Sequence, residues 1–143
     1  MIRRREEGST IPLILVFTAI AAGFVIVAAG ATALHLARLR LLTLADGAAL
    51  AAAESFSVDD ARVTDGTVVP VLDDAGVRTA AADSLRTADV GGLDDMHLDR
   101  AFTPDGRSAS VRLTATWRPP IATPLLPVAL PITVESTAAA RFR

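Results

Sequence analysis

The chain predicts an α+β fold: a long N-terminal transmembrane helix extended into an alanine-rich helix, then a small domain with one further helix and a three-stranded antiparallel sheet. Three observations predict it. Ser9 to Leu34 carries no charge, Thr43 to Glu54 is half alanine, and three later stretches alternate apolar and polar residues with period two.

The uncharged run of about 26 residues would extend roughly 39 Å as a helix, beyond the roughly 30 Å of a bilayer's hydrocarbon core. Ile14, Leu15, Val16, Phe17, Ile20, Phe24, Val25, Ile26 and Val27 surround the helix on every side, unlike the single stripe of a soluble amphipathic helix. Pro12 falls in the first turn, where its missing N–H is harmless. Arg3, Arg4 and Arg5 precede the span and Arg38 and Arg40 follow it, a balance that favours a cytoplasmic N-terminus. A secretory signal peptide is the competing reading, with Ala31-Thr32-Ala33 as its cleavage motif, but the apolar core exceeds the roughly 7 to 15 residues usual there. Ala19-x-x-x-Gly23 and Ala29-x-x-x-Ala33 have small-residue spacings that arise readily in any alanine-rich helix.

Past the span, no proline interrupts His35 to Glu54 and strong helix formers fill it, so one helix of about 45 residues is expected. Leu39, Leu42, Ala45 or Asp46, Ala49 and Ala53 recur at helical spacing and predict a narrow face of small residues for close packing. Gly47 weakens this half by around 1 kcal/mol relative to alanine, so a bend is expected to be possible there.

The remaining segment predicts a loop from Ser57 with one short strand at Thr67 to Val69. Asp73-Asp74 supply an N-cap for a second helix with Val77, Ala81, Leu85 and Ala88 on one face, ended by Gly91-Gly92. Met96, Leu98, Arg100 and Phe102 alternate with His97, Asp99 and Ala101; Pro104-Asp105-Gly106 reads as a turn; Ser108 to Trp117 forms the second arm. In that arm Val111, Leu113, Ala115 and Trp117 share a face. A last strand, Ile132 to Phe142, carries Ile132, Val134, Ser136, Ala138 and Ala140 on one side. "PPIATPLLPVALP", residues 119 to 131, holds five prolines and no charge, so it is an apolar loop. It either completes the small core or, through Leu125 and Leu126, docks a partner.

The segments are then 1–8, a basic cytoplasmic head or leader; 9–35, the membrane helix; 36–56, its alanine-rich extension; and 57–143, an extracytoplasmic domain. About 85 to 90 residues remain for a soluble core, a small domain. A hydrophobic share of 51% and mean hydropathy of +0.43 suit a membrane protein, and a net charge of -2 argues against nucleic acid as a partner. All 14 basic residues are arginine, and Lys, Asn and Tyr are absent, as a high-GC bacterial genome would produce. The chain has no cysteine, so no disulfide or thiolate metal site supports it.

No chemistry-bearing motif stands out. His35 and His97 are not spaced with carboxylates as a zinc site needs, and Asp59-Asp60, Asp73-Asp74 and Asp94-Asp95 lack the alternation of a calcium loop. They read as turns and caps. Phosphate-loop and nucleophile-elbow patterns are also missing. The expectation is therefore no enzyme, no cofactor and no small-molecule substrate, with Arg38 and Arg40 contacting anionic headgroups at the membrane surface.

Arg5-Glu6-Glu7-Gly8-Ser9, the apolar span, "LHLARLRL" and "LADGAALAAAESF" together resemble the TadE/TadG-like family of tight-adherence (Flp-type) pilus assembly proteins. Asp46, Gly47, Ala48, Ala49 and Leu50 are the most specific part of the likeness, which covers roughly the first 56 residues. The resemblance implies a pilin-like layout and a minor pilin or pseudopilin-like subunit, single-pass in the cell membrane with its domain outside, working with other pilus or secretion subunits. In cleaved members a prepilin peptidase cuts after the glycine, here between Gly8 and Ser9. Those members carry Glu at the fifth residue after it, where this chain has Leu13, so a permanently anchored assembly factor is the companion expectation. The alternative from a different class is a secreted or anchored extracytoplasmic binding module without a pilus role.

Overall fold

A computed structural model describes residues 10–56, 62–64, 67–69, 71–119 and 128–140. Helix α1 runs unbroken from Thr10 to Ala53, 44 residues. The hydroxyls of Thr18, Thr32 and Thr43 donate to the carbonyls four residues back, at 2.8, 2.9 and 3.0 Å, so these polar groups are satisfied within the helix. Beyond Ala53 the chain turns out of the helix as Ser55 Oγ donates to the Ala52 carbonyl at 2.7 Å.

The two halves of α1 live in different surroundings. Between Ile11 and Val27 the large apolar side chains are exposed all round, and this helix is long and apolar enough to cross a membrane. Further on, Ala37, Leu41, Ala45, Ala48, Ala49, Ala52 and Ala53 are buried as a spine for the domain. Ala45, Ala49 and Ala53 match the expected face, but Leu39 is exposed and Leu42 only half-buried; Ala37 and Leu41 take their places. A helix that is apolar nearly all round leaves periodicity little power to choose a face, and packing against the sheet decides it.

Helix α2 spans Asp74–Arg86 and is capped by Asp73, whose Oδ2 accepts from the Ala75 and Gly76 N–H groups, both at 3.1 Å. Val77 and Ala81 are buried and Leu85 half-buried, as the spacing predicts. The helix stops at Thr87, short of the expected Gly91-Gly92, and Ala88 lies beyond it. Gly92, at φ +82°, makes the turn into the sheet.

Strands β1 (Arg62–Thr64) and β2 (Thr67–Val69) pair as a small antiparallel hairpin, one strand more than expected. The main sheet joins β3 (Asp94–Phe102), β4 (Ser108–Trp117) and β5 (Leu130–Ala139) in the order β3-β4-β5, all antiparallel. Ala109, Val111, Leu113, Ala115 and Trp117 of β4 point to the core with Ile132 and Val134 of β5. β5 begins two residues before Ile132 and ends at Ala139; Phe142 lies outside the described residues.

Strand β3 departs from simple alternation. Its register against β4 slips between Asp94 and His97 and again between Leu98 and Arg100, with Asp95 at φ 50°. Each extra residue inverts which side chain faces inward. Met96 and Leu98 pack on the core as expected, but past the second slip Ala101 is buried opposite Val111, and the Arg100 guanidinium lies over the Phe102 ring at 4.1 Å. Arg100 and Phe102 were expected to share the face of Met96 and Leu98.

The turn between β3 and β4 is held by Asp105, whose Oδ1 accepts from Arg107 N–H at 2.9 Å, Ser108 N–H at 2.7 Å and Ser108 Oγ at 2.8 Å. Those hydrogen bonds, the Arg107 N–H foremost, hold its carboxyl below the ordinary 3.8. Gly106, at φ +71°, completes the turn. Both helices lie on one face of the sheet, α1 over β4 and β5 and α2 over β3, so a single core sits between helix layer and sheet.

Candidate functional site

The region with most to explain is where α1 leaves its fully exposed half and meets the base of the domain. Ala33 and Leu34 already pack at the edge of the core. Three shallow clefts surround the helix at this level. One of about 450 Å³ runs along Leu36, Leu39, Arg40, Thr43 and Leu44 toward Asp89 and Gly91. A second, about 300 Å³, lies between Ala33, Leu36, Ala37 and Arg40 and the residues Gly91 to Leu93, with Trp117 and Arg118 as its far wall. Leu34 and Arg38 face Leu130 to Thr133 across the third, of about 320 Å³.

The two arginines expected at the membrane surface therefore have different surroundings. Arg40 Nη1 donates to the Gly91 carbonyl at 2.9 Å, which ties the α2–β3 connection to α1. Its remaining donors are on an exposed side chain. Arg38 borders the cleft beside the start of β5. A third arginine at this level, Arg118, stands 3.6 Å from Asp94 and has no distinguishing sequence signal, because only the antiparallel return of β4 brings it to the exit.

The alanine-rich motif has a structural account for most of its residues. Ala48 and Ala49 are buried, and their small side chains let the helix lie close on the sheet. Asp46 stands at the border of that contact, where its Oδ1 accepts from Ser136 Oγ on β5 at 2.5 Å. The one carboxylate of α1 thus fixes the helix against one strand. Leu50 is exposed, and a Cβ added at Gly47 would meet nothing within 4 Å. Among the described residues nothing accounts for glycine there.

The outer face of the sheet is polar. Arg112 reaches Glu135 across the β4–β5 pair, with Nη2 at 2.6 Å and Nε at 3.0 Å from Oε2, and this hydrogen bond raises the guanidinium above its usual value. Thr114 Oγ1 donates to Asp99 Oδ2 at 2.6 Å and therefore accepts from Thr133 Oγ1 at 2.8 Å. His97 Nε2 lies 3.0 Å from Asp99 Oδ1, and its Nδ1 lies 2.9 Å from the Asp95 carbonyl. In a hydrolytic triad the imidazole stands between hydroxyl and carboxylate; here the carboxylate stands between, so the imidazole cannot take the hydroxyl proton. The arrangement joins three strands by cross-strand hydrogen bonds.

Among the described residues no three His, Asp or Glu side chains gather as metal ligands. Gly8, Ser9, Leu125 and Leu126 lie outside the described residues. No family model matches the chain, and neither a curated protein nor a solved structure matches it at significance.

Proposed function

We propose that the chain is a membrane-anchored, non-enzymatic assembly subunit of a tight-adherence pilus or related secretion apparatus, minor pilin or pseudopilin-like in layout. One observation carries the reading. The same unbroken helix is apolar and exposed on all sides through its first half and is the alanine-lined spine of an α+β domain through its second. That division suits a subunit whose anchor and head act as one piece. The motif Asp46 to Leu50 supports it further, since Asp46 joins the helix to β5 while Gly47 and Leu50 face outward, free for contact with a neighbouring subunit.

The N-terminus lies in the cytoplasm and the domain outside. In this reading partners are the bilayer and other subunits of the apparatus. The decisive experiment deletes the chain from its bacterial host and counts surface pili by electron microscopy, with rescue by the full-length chain. Loss of pili restored only by the membrane-anchored form is expected. Unchanged pili overturn the pilus role, and a full-length chain that stays soluble without detergent overturns the anchor as well. Mass spectrometry of the mature N-terminus separates the processing routes: Ser9 indicates prepilin-type cleavage, Met1 a permanent anchor, and Leu34 a secreted product.

A further inference from the structure

The length of α1 sets how far the domain stands from the lipid. With Thr10 at the inner edge of the hydrocarbon, a core of roughly 30 Å takes about 20 residues and ends near Gly30. A bilayer of roughly 40 to 45 Å including headgroups extends the outer headgroup layer several residues further. Packing of α1 against the domain begins at Ala33 and Leu34, inside that layer. Tilting the helix lowers its rise along the membrane normal and brings the domain closer still.

The base of the domain carries exposed apolar side chains among its arginines. Leu36 is 55% exposed and Leu130 39%, with Val90 and Val128 exposed beside them. Scattered apolar side chains on a soluble face need no cause, but Leu36 and Leu130 line clefts around the helix where the apolar span ends, and Val90 and Val128 adjoin Gly91 and Leu130 of those clefts in the chain. Trp117, the single tryptophan, is 6% exposed and lines the same cleft as Ala33 and Leu36. Tryptophan and arginine at this depth are the residues that favour the interface, the ring among the upper chains and the guanidinium reaching phosphate.

We infer that the domain rests in the outer headgroup layer of the bilayer, with Leu36, Val90, Val128 and Leu130 inserted among the lipids and Trp117 directly behind them. The inference relies on the membrane anchor proposed above. Its occupant is the lipid surface of that same bilayer, argued from the arithmetic of the helix and the continuity of the patch with the span.

Quenching of Trp117 fluorescence by brominated phosphatidylcholine tests it, using the full-length chain reconstituted in vesicles. Bromines placed high on the acyl chain should quench Trp117 at least twofold more than bromines placed near its end. Replacing Leu36 and Leu130 by serine, two exposed positions, should at least halve the shallow quenching while leaving emission in detergent unchanged. A second chain, Trp117→Phe with Phe24→Trp, reports on the span alone and should be quenched by the deep bromines. If Trp at position 24 is quenched and Trp117 is untouched by either lipid, the anchor holds and the seated domain is wrong; the patch then belongs to a protein partner. If neither is quenched, the anchor fails and the inference falls with it.

Discussion

Gly47 offers a test of whether the alanine-rich motif is shaped by the chain's own fold or by something it meets. The residue sits inside α1, has no positive φ, and a Cβ built on it contacts nothing within 4 Å. Alanine should therefore fit without strain. In an exposed helix interior Gly→Ala gains about 0.5–1 kcal/mol, because glycine loses more backbone freedom on folding. With a urea slope of about 1–3 kcal/mol per molar for a small domain, the unfolding midpoint should rise by roughly 0.2 to 1 M. Urea unfolding of the full-length Gly47→Ala chain in detergent micelles, followed by Trp117 fluorescence, measures the shift in the domain that the helix supports. A lower midpoint would refute the reasoning, for it would mean that the open space around Gly47 is occupied in the folded chain. A higher midpoint together with lost pili in the host would assign the missing side chain to contact with another subunit.

Leu41→Ala removes a fully buried side chain that α1 contributes to the core, and should cost roughly 2–5 kcal/mol in the same urea assay. A loss under 1 kcal/mol would count against the spine as the centre of the core. Asp73→Ala leaves two N–H groups of α2 without their acceptor and should destabilise the domain by about 1 kcal/mol, with Asp73→Asn recovering most of it. Asp105 has a lowered carboxyl in the folded chain, so its contribution is complete above 3.8 and is lost as pH falls through the lowered folded value. Wild type should thus exceed Asp105→Asn in urea midpoint at pH values above 3.8 and converge toward it as pH falls below 3.8; a gap that widens on acidification would contradict this.

Which parts of the fold were legible follows from how strongly each stretch constrained itself. α1 could be read almost to the residue because length, absence of internal proline and uniform apolarity leave no other structure. β4 matched from Ser108 to Trp117 because its inward residues are all apolar and its opening turn is marked by Pro104-Asp105-Gly106. β3 was read correctly only as far as Leu98. Its two slips are set by pairing with β4, and neither Asp95 nor Asp99 announces a bulge in a single sequence. The β1–β2 hairpin has a short-range signal in the sequence, the Asp65-Gly66 pair flanked by Val63 and Val68. Where α1 meets the domain, Arg38 and Arg40 stand out by their charge after an uncharged run, whereas the Gly91 carbonyl, Arg118 and Trp117 reach the same place through tertiary contacts between distant segments.

α1 contains no proline after Pro12, and its 44 residues make a rod of about 66 Å. Such a member has no joint between its exposed apolar half and the half that carries the domain. A lateral push on the domain becomes a change in tilt of the exposed apolar half, and a pull along the axis reaches the other end without first drawing out slack. Torque travels the same way, entering the helix through Asp46 on β5 and Arg40 on the Gly91 carbonyl, both on its domain half. A machine that grips either end therefore moves both.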